Sequence, residues 1–370
     1  MGPGVFARRC AFLCEGCAER ECLVGRMIES GLPEGNAIAM DRLEQLRTWA
    51  SSALDVEPAS MIPASEDASF RRYFRFRRHS GGSVIAMDAP PPHEDCSVFV
   101  RVGEVLSSAG VNVPKVIAHD FDRGFLLLSD FGCSTYLSGI DDSNADARYR
   151  PAMSALVRLQ SSSRAGVFPE YDQALLRREV DLFAEWYVKR HLGLSLDAKQ
   201  TSALDTVVGR VLANNLAQTR VFVHRDYHTR NLMVIDPMPG VLDFQDAVYG
   251  PITYDLVSLL KDAYVRWPEE RVIDWAIRYW EEARRAALPL PDNFAEFYRD
   301  FEWMGVQRHL KVVGIFARLW HRDGKERYLA DIPLVLDYLL RAARRYGELA
   351  PLAHLIDQLH GRAARVAHTF

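Results

Sequence analysis

The stretch VFVHRDYHTRNLMVIDPMPGVLDF, residues 221–244, combines short apolar segments with a polar loop. This combination predicts the local fold that brings its polar side chains together. Apolar segments at 221–223, 232–235 and 241–244 predict three strands. The loop HRDYHTRN separates the first strand from the second, and the turn DPMPG joins the second to the third. We therefore predict an antiparallel hairpin centred on Met238, with the polar loop at its open end.

Three oxygen-bearing side chains should converge at that open end. The hairpin pairs the start of its first strand with the end of its second, so Asn231 and Asp243 become neighbours and Asp226 lies in the adjoining loop. Such ligands suit Mg²⁺, which takes one or two carboxylates together with substrate phosphates. An aspartate that is not a ligand can accept a proton from an attacking hydroxyl. The alternative is that these residues only cap turns.

Composition describes an ordinary globular chain. It has 370 residues, of which 48% are hydrophobic and 25% charged, and a formal net charge of −4. The length supports two lobes, and the charge gives no reason to expect nucleic acid or an anionic membrane as a partner. No apolar run approaches the ~18–20 residues of a membrane span. The apolar segment CAFLC near the N-terminus is too short for a secretory signal, so a cytoplasmic location is expected.

Four of the six cysteines lie close together near the N-terminus, at Cys10, Cys14, Cys17 and Cys22. CAFLCEGC has the spacing of an iron–sulfur site, but no barrel pattern follows it. Because Met40 opens a clear amphipathic helix, we expect residues 1–39 to be a disordered leader or a misassigned start. Cys96 and Cys133 are isolated, which argues against a disulfide framework.

Two regions of different character follow. Residues 40–130 read as a small lobe of mixed helix and strand, and 131–370 read as mostly helical around one hairpin. The elements predicted in the small lobe are a helix at 41–54, strands at 68–78, 83–89 and 124–132, and a helix at 97–110 that Gly110 closes. The predicted fold class is α+β.

HRDYHTRN resembles the catalytic loop of protein kinases, and LLLSDFG at 126–132 contains the letters of their magnesium motif. In kinases the magnesium motif follows the catalytic loop, whereas Asp130 precedes it here. The magnesium aspartate is therefore expected to be Asp243, and SDFG occupies the position of the interlobe hinge. Backbone groups of Ser129 and Phe131 are predicted to hydrogen-bond adenine there.

The order of elements, together with LDFQDAVYGPITYDLVSLL and GVQRHLKVVGIFARL, resembles the aminoglycoside phosphotransferase family over roughly residues 41–345. The resemblance implies a bilobal protein-kinase-like fold, with a small β-rich N-lobe that binds ATP and a helical C-lobe for catalysis and the acceptor. It implies Asp226 as the catalytic base, and Asn231 and Asp243 as Mg²⁺ ligands. Asp255, in YDLVSLL, is expected to brace the catalytic loop.

ASFRRYFR, MDAPPPHEDC and FLLLSDFG are similar to the bacterial amino-sugar kinase branch of that family. This resemblance implies ATP-dependent phosphorylation of the anomeric C1 hydroxyl of N-acetylmuramate and N-acetylglucosamine during peptidoglycan recycling. The product is expected to pass to a uridylyltransferase.

One position departs from the kinase pattern. The strand that should present a phosphate-binding lysine reads VIAM, with Met87 at the expected place, and no lysine occurs before Lys115. Ser69, Arg71 and Arg72 are predicted to contact the nucleotide. An arginine can replace the lysine because its guanidinium binds phosphate oxygens in pairs. The alternative is that these arginines only make a strand face soluble.

Segments EWYVKRH (185–191) and QRHLK (307–311) are candidates for the acceptor site. Arg308 and Lys311 lie one helical turn apart, so both could face one cleft and bind the lactyl carboxylate of N-acetylmuramate. A solvated basic face is the alternative, and His309 could equally be a packed residue.

Two further functions stay open at this point. One is a kinase for another small acceptor, such as an aminoglycoside, choline or homoserine, although the basic residues of QRHLK favour a neutral or anionic acceptor. The other is a pseudokinase that binds nucleotide as a scaffold, which the missing lysine suggests. The presence of Asp226, Asn231 and Asp243 argues against it.

Overall fold

The structure of the protein, a computed structural model, describes residues 34–65 and 71–367, with side chains over 42–64 and 71–361. The cysteine cluster, most of the predicted leader and the nucleotide candidate Ser69 lie outside the described residues. The first described helix, α1, spans Glu34–Ala53 and therefore begins before the predicted start at residue 41.

Contacts between residues divide the chain into two compact units. In its described part the first unit comprises 34–65, 71–96 and Val116–Asp130, and the second comprises Ser97–Lys115 and 131–367. The first is an antiparallel sheet with a helix, and the second is mostly helical, so the predicted α+β fold class is confirmed. Residues 97–115, which lie within the range predicted for the N-lobe, group with the second unit.

The first unit is built on a five-stranded antiparallel sheet with the strand order β1–β2–β3–β5–β4. The strands are β1 Ile62–Ser65, β2 Arg72–Arg77, β3 Ser83–Asp88, β4 Val116–Asp120 and β5 Phe125–Ser129. On β2, Phe74 and Phe76 are buried and Arg77 is exposed, as the alternation in the sequence predicts. The sequence prediction did not include the two edge strands, β1 and β4; in β1, Pro63 interrupts the apolar pattern.

Helix α1 covers one face of this sheet. Leu46, Trp49 and Ala50 are buried against the inward phenylalanines of β2 and against Phe125 of β5. The rings of Trp49 and Phe125 lie 5.6 Å apart. Each large side chain buried in this way contributes about 1.5–3 kcal/mol to folding, so the helix and the sheet stabilise each other.

The second unit is organised around one long buried helix. Helix α8 is buried on every face from residue 301 to residue 314, as expected for a helix at the centre of a bundle. The helices after α1 are α2 Cys96–Ser108, α3 Ala145–Ser161, α4 Gln173–Leu182, the π-helix Phe183–His191, α5 Ala198–Ala217, α6 Tyr254–Leu260, α7 Glu269–Arg285, α8 Phe294–Asp323, α9 Ile332–Arg345 and α10 Ala350–Ala367. None of the described helices combines the length and the hydropathy needed to cross a bilayer.

The catalytic-loop candidate connects two small sheets of the second unit. Strand β6 (Arg220–Val223) pairs with β9 (Val248–Pro251), and β7 (Leu232–Met233) pairs with β8 (Gly240–Val241). The hairpin is real, but its strands are shorter than predicted, and its register centres it just before the predicted midpoint at Met238. The loop 224–231 leaves the first sheet and enters the second.

Candidate active site

The structure brings the side chains of Asn231 and Asp243 together beside the backbone of Asp226. The side-chain amide of Asn231 donates to the Asp226 carbonyl at 3.0 Å and lies 3.4 Å from Oδ2 of Asp243. The backbone of Leu242 donates to the Asn231 carbonyl at 2.9 Å, which continues the hairpin up to the loop. The hairpin thus fixes Asn231 against Asp243, as the sequence predicts.

Asp243 adopts an uncommon backbone conformation. Its φ of 61° lies in the left-handed region, which residues other than glycine adopt rarely. Gln245 donates to its Oδ1 at 2.8 Å, while the Asn231 amide faces its Oδ2. Backbone strain of this kind concentrates at functional sites, where the surrounding structure maintains it. The carboxylate is therefore oriented by the fold.

Asp226 is half-buried and ionised at neutral pH. Burial alone would raise the pKa of its carboxyl, but neighbouring positive charges outweigh burial and lower the pKa to about 2. Lys311 has the largest lowering effect, followed by His228 and Arg308. Asp226 is therefore an ionised carboxylate of low basicity.

Arg308 and Lys311 are buried on α8, so the alternative of a solvated basic face is wrong. Arg308 donates to a carbonyl of the catalytic loop at 2.9 Å and to the Tyr254 hydroxyl at 3.2 Å. Lys311 donates to the same hydroxyl at 2.9 Å and forms a salt bridge with Glu179 at 2.9 Å. Both cations have partners inside the fold, which argues against their predicted contact with a substrate carboxylate. His309 is packed, with its ring stacked on Tyr338.

Glu179 on α4 is a site residue that the sequence did not reveal. It is buried and bonded to Arg225, Lys311, Tyr171 and Gln307. Burial would raise the pKa of Glu179, but Lys311 and Arg225 hold it below its usual value. The anion secures Arg225, whose φ of 77° is also left-handed. This cluster of buried charges therefore stabilises the conformation of the catalytic loop at Arg225.

Asp255 braces the catalytic loop, as expected. It is fully buried on α6, and its carboxylate accepts hydrogen bonds from the backbone N–H groups of His224 at 2.6 Å and Arg225 at 3.0 Å. Burial raises the pKa of Asp255 to about 7 although both hydrogen bonds oppose the shift. Removing this side chain would leave two buried loop N–H groups without partners.

His224 ties the loop to the hairpin. Its Nδ1 accepts from the Asp226 N–H at 3.2 Å, so the proton on Nε2 faces the Leu242 carbonyl at 3.0 Å. Burial lowers the pKa of His224 to about 4, which keeps the ring neutral at pH 7 and permits both contacts. His224, the first histidine of HRDYHTRN, therefore positions Asp226 and does not itself carry charge.

A second aspartate, Asp262, also stabilises the catalytic loop, and the sequence did not predict this role. Asp262, which follows α6, accepts hydrogen bonds from the N–H and hydroxyl groups of Thr229 and from the Tyr264 N–H at 3.1 Å. It lies two residues after Leu260, the last residue of α6, and seven residues after Asp255. The aspartate that ends YDLVSLLKD is the sequence feature that could have identified it.

The arginines predicted to bind phosphate have partners in the first unit. Arg72 forms a salt bridge with the fully buried Asp88, which also accepts from Arg42 at 2.8 Å. Nε of Arg71 lies 3.5 Å from Oε2 of Glu94. Met87, at the place of the kinase lysine, is completely buried in β3. Contact of Arg71 or Arg72 with a nucleotide stays a prediction.

The predicted adenine-binding residues lie where the chain passes from the first unit to the second. Ser129 is the last residue of β5 in the first unit, and Phe131 is the first residue of segment 131–367 of the second unit. A Cβ added to Gly240 would come within 2.7 Å of Phe131, so a glycine in β8 allows this ring to pack closely on the hairpin. Contact of either residue with adenine stays a prediction.

Asp130, the aspartate of SDFG, has a structural role in the first unit. Its carboxylate accepts from Arg75 Nε at 2.5 Å, from Arg75 Nη2 at 3.0 Å and from the Ser83 hydroxyl at 2.6 Å. Only 4% of the side chain is exposed. The two-point ion pair ties the end of β5 to β2 and β3, which explains an aspartate at this position without a metal.

We expect Asp130→Ala to destabilise the protein without changing its dependence on magnesium. Removing one partner of a buried ion pair costs about 3–5 kcal/mol, and we expect about 1–3 kcal/mol here because water screens part of the pair. Arg75 is 23% exposed. Urea unfolding measures the stability, and turnover against Mg²⁺ concentration measures the dependence. A large change in apparent Mg²⁺ affinity would make Asp130 a metal ligand after all.

The donor chemistry at Asn231 and Asp243 fits a magnesium ion. The pair supplies a carboxylate and an amide oxygen, the small oxygen set that Mg²⁺ takes when water and substrate phosphates complete its coordination. In the described part of the chain, no group of three or more His, Cys, Asp or Glu is arranged to hold a metal.

Comparison with known proteins shows the family to which the chain belongs. The model of the phosphotransferase enzyme family (APH) matches residues 60–294. The chain is 51% identical over 330 residues to the N-acetylmuramate/N-acetylglucosamine kinase of Pseudomonas aeruginosa, which covers 86% of this chain and 97% of that protein. The protein of the same name from Neisseria meningitidis is 48% identical over 326 residues, which covers 87% of this chain and 97% of that protein.

A solved structure shows the same fold. Amicoumacin kinase hAmiN in complex with AMP-PNP, Ca²⁺ and Ami matches with a TM-score of 0.57 at 12% identity, covering 82% of this chain and 95% of that chain. The family match includes the whole catalytic loop and the hairpin that follows it. On the extent of that match and of the half-identical relatives, the chain belongs to the phosphotransferase enzyme family.

Proposed function

We propose that this chain transfers the γ-phosphoryl group of ATP to the anomeric hydroxyl of N-acetylmuramate and N-acetylglucosamine. Relatives of about half identity, matched over 97% of their own lengths, are kinases named for these two sugars. The observation that carries the proposal is that the Asn231 side chain contacts both the Asp243 carboxylate and the backbone carbonyl of Asp226.

In this proposal Asp226 accepts the proton of the attacking hydroxyl. A carboxyl with a pKa of about 2 is a weak base, which suits a late proton transfer from an acidic alcohol. The anomeric hydroxyl is more acidic than the ring alcohols of a sugar. In a loose phosphoryl-transfer transition state, positioning of the hydroxyl matters more than the strength of the base. Lys311 and Arg308 keep Asp226 ionised while their own partners hold them in place.

Asn231 and Asp243 hold Mg²⁺ in this proposal. When bound, the ion neutralises charge on the transferring phosphoryl group. The Gln245 amide and the left-handed backbone orient the Asp243 carboxylate before any ligand arrives. For the nucleotide we propose phosphate contacts from Ser69 and from Arg71 or Arg72, and adenine contacts from the backbone at Ser129 and Phe131.

The product of this reaction would be a sugar 1-phosphate. Its phosphate is the group that a uridylyltransferase joins to a nucleotide, so such an enzyme is the expected consumer. We propose that both steps take place in the cytoplasm, as part of peptidoglycan recycling.

Two other functions are weaker. A kinase for a polycationic acceptor would need acidic residues at its acceptor site, whereas Lys311, Arg308 and Arg225 surround Asp226 with positive charge. A nucleotide-binding scaffold would have no use for an ionised aspartate beside an oriented Asn–Asp pair. The missing lysine at Met87 is the observation that favours the scaffold.

Magnesium-dependent consumption of ATP by the purified full chain separates these functions. The acceptors are N-acetylmuramate, N-acetylglucosamine, choline, homoserine and an aminoglycoside, each tested at equal concentration with and without Mg²⁺. We expect turnover with the two amino sugars alone. Turnover only with another acceptor would replace the sugar proposal, and binding of ATP without turnover of any acceptor would support the scaffold.

A further inference from the structure

The guanidinium group of Arg230 is held in place by two tyrosine side chains. Its guanidinium carbon lies 4.9 Å from the ring centre of Tyr264 and 5.5 Å from that of Tyr328, and Nη1 donates to the Tyr328 hydroxyl at 3.2 Å. The side chain is half-buried between these rings. Two aromatic faces therefore fix the orientation of the guanidinium, so little side-chain entropy is lost when a ligand binds.

No carboxylate of the described residues comes within the 4.0 Å of a salt bridge with Arg230. Asp262 is the neighbour of its loop, but it is bonded to Thr229 and Tyr264. Asp331 is close enough for Arg230 to affect its pKa, which burial raises to about 6. The five donors of a guanidinium are only partly used by two tyrosine hydroxyls, so a fork remains for an anion.

Lys311 differs from Arg230 because it is neutralised by Glu179. Arg308 has no salt bridge among the described residues, but it is buried and bonded to a loop carbonyl and to Tyr254, whereas Arg230 is half-buried. A second arginine adds positive charge near Arg230, because the guanidinium carbon of the exposed Arg327 lies 5.2 Å from the ring centre of Tyr328. It too has no carboxylate in salt-bridge range among the described residues.

The loop places Arg230 close to the reaction centre. It follows Asp226 by four residues and precedes Asn231, and the turn is closed by a hydrogen bond from the Asn231 N–H to the His228 carbonyl at 2.9 Å. Burial lowers the pKa of the His228 ring, and the charges of both Asp226, which raises this pKa, and Arg230, which lowers it, act on the same ring. Asp262 fixes the backbone between them through Thr229.

We propose that Arg230 binds the lactyl carboxylate of N-acetylmuramate and so favours the muramate over N-acetylglucosamine. This rests on the function proposed above. The lactyl group is attached to C3, two ring carbons from the anomeric carbon, so a sugar with its C1 hydroxyl at Asp226 presents the carboxylate about one ring width away. A long, oriented guanidinium four residues along the same loop suits that separation.

The test compares Arg230→Met with the wild type on three acceptors: N-acetylmuramate, its methyl ester and N-acetylglucosamine. Loss of a bidentate charge-assisted contact should raise KM for N-acetylmuramate about 10- to 100-fold. KM for N-acetylglucosamine should stay within about 3-fold because this sugar has no carboxylate. Esterification should raise KM in the wild type by a similar factor, and should add nothing further in Arg230→Met, because both changes remove the same contact.

Arg318→Met is the matched control. Arg318 is also half-buried and also has no salt bridge in the described chain, but it lies at the C-terminal end of α8. The control should leave all three acceptors unchanged. Arg230→Lys, which keeps the charge, should recover part of the affinity for N-acetylmuramate and covers the case in which Arg230→Met does not fold.

Equal loss with both sugars, or an ester effect that persists in Arg230→Met, would overturn the role of Arg230 while the wild type remained an amino-sugar kinase. A wild type inactive on both sugars would instead overturn the proposed function itself, and the carboxylate contact with it.

Discussion

Replacing Asp243 with alanine is expected to abolish measurable turnover and to weaken binding of Mg-ATP. The change removes the only carboxylate of the proposed metal pair, and Asn231 alone supplies a single neutral oxygen. Catalysis of phosphoryl transfer depends on neutralising charge on the transferred group, so loss of the metal removes its largest contribution. The measurements are turnover at saturating sugar over a wide range of Mg²⁺ concentration and calorimetric binding of Mg-ATP.

Two variants separate this effect from damage to the fold. Asp243→Asn keeps the shape of the side chain and tolerates the left-handed backbone at φ 61°, so it should fold normally and still lose most activity. Asp246→Ala, three residues further on and exposed, should behave as the wild type. Normal magnesium dependence in folded Asp243→Asn would contradict the assignment of the metal site.

Asp226→Asn is expected to lower kcat by about 10²–10⁴ while ATP binding and the fold are retained, which is the usual effect of removing a positioned general base. The amide has the shape of the carboxylate but cannot accept the proton. Because the pKa of Asp226 is about 2, this carboxylate is protonated only at pH values below the working range of the enzyme. Replacing it with asparagine should therefore not shift the acidic limb of the pH–activity profile. Single-turnover kinetics at several pH values measure both quantities.

Activity of Asp226→Asn within a few-fold of the wild type would remove Asp226 from its role as base.

The positive charges of Lys311 and Arg308 lower the pKa of Asp226. Lys311→Met should raise the pKa of Asp226 and leave Glu179 with one cation fewer, so we expect a less stable protein with reduced, not abolished, turnover.

The catalytic loop could be read from the sequence because its geometry is local. Asn231 and Asp243 are joined by a tight hairpin, and alternating apolar and turn residues are enough to predict which ends meet. Order along the chain also predicts that Asp130 is not the metal ligand, and the structure gives Asp130 a different role. It pairs with Arg75 across two strands of the first unit.

The supporting residues could not be read in the same way, because their partners are distant in the chain. Glu179 meets Lys311 and Arg225 only after α4 has packed against α8. The helix α8 is buried on all faces over much of its length, so no amphipathic stripe distinguishes an inward cation from an outward one. The sequence therefore indicates Arg308 and Lys311 as cations of interest but does not reveal that they are buried and paired, and no motif distinguishes Arg230 from the other residues of the loop.

The site of phosphorylation on the sugar is the most direct test of the account. Phosphorus NMR of the product formed from N-acetylglucosamine and ATP distinguishes an anomeric phosphate from a phosphate on a ring alcohol or on C6. We predict a single C1 phosphate, no product from the methyl glycoside in which the C1 oxygen is capped, and normal product from a sugar blocked at C6. Phosphorylation of the methyl glycoside would show that another hydroxyl is the nucleophile, and would contradict the assignment of this chain as an anomeric amino-sugar kinase.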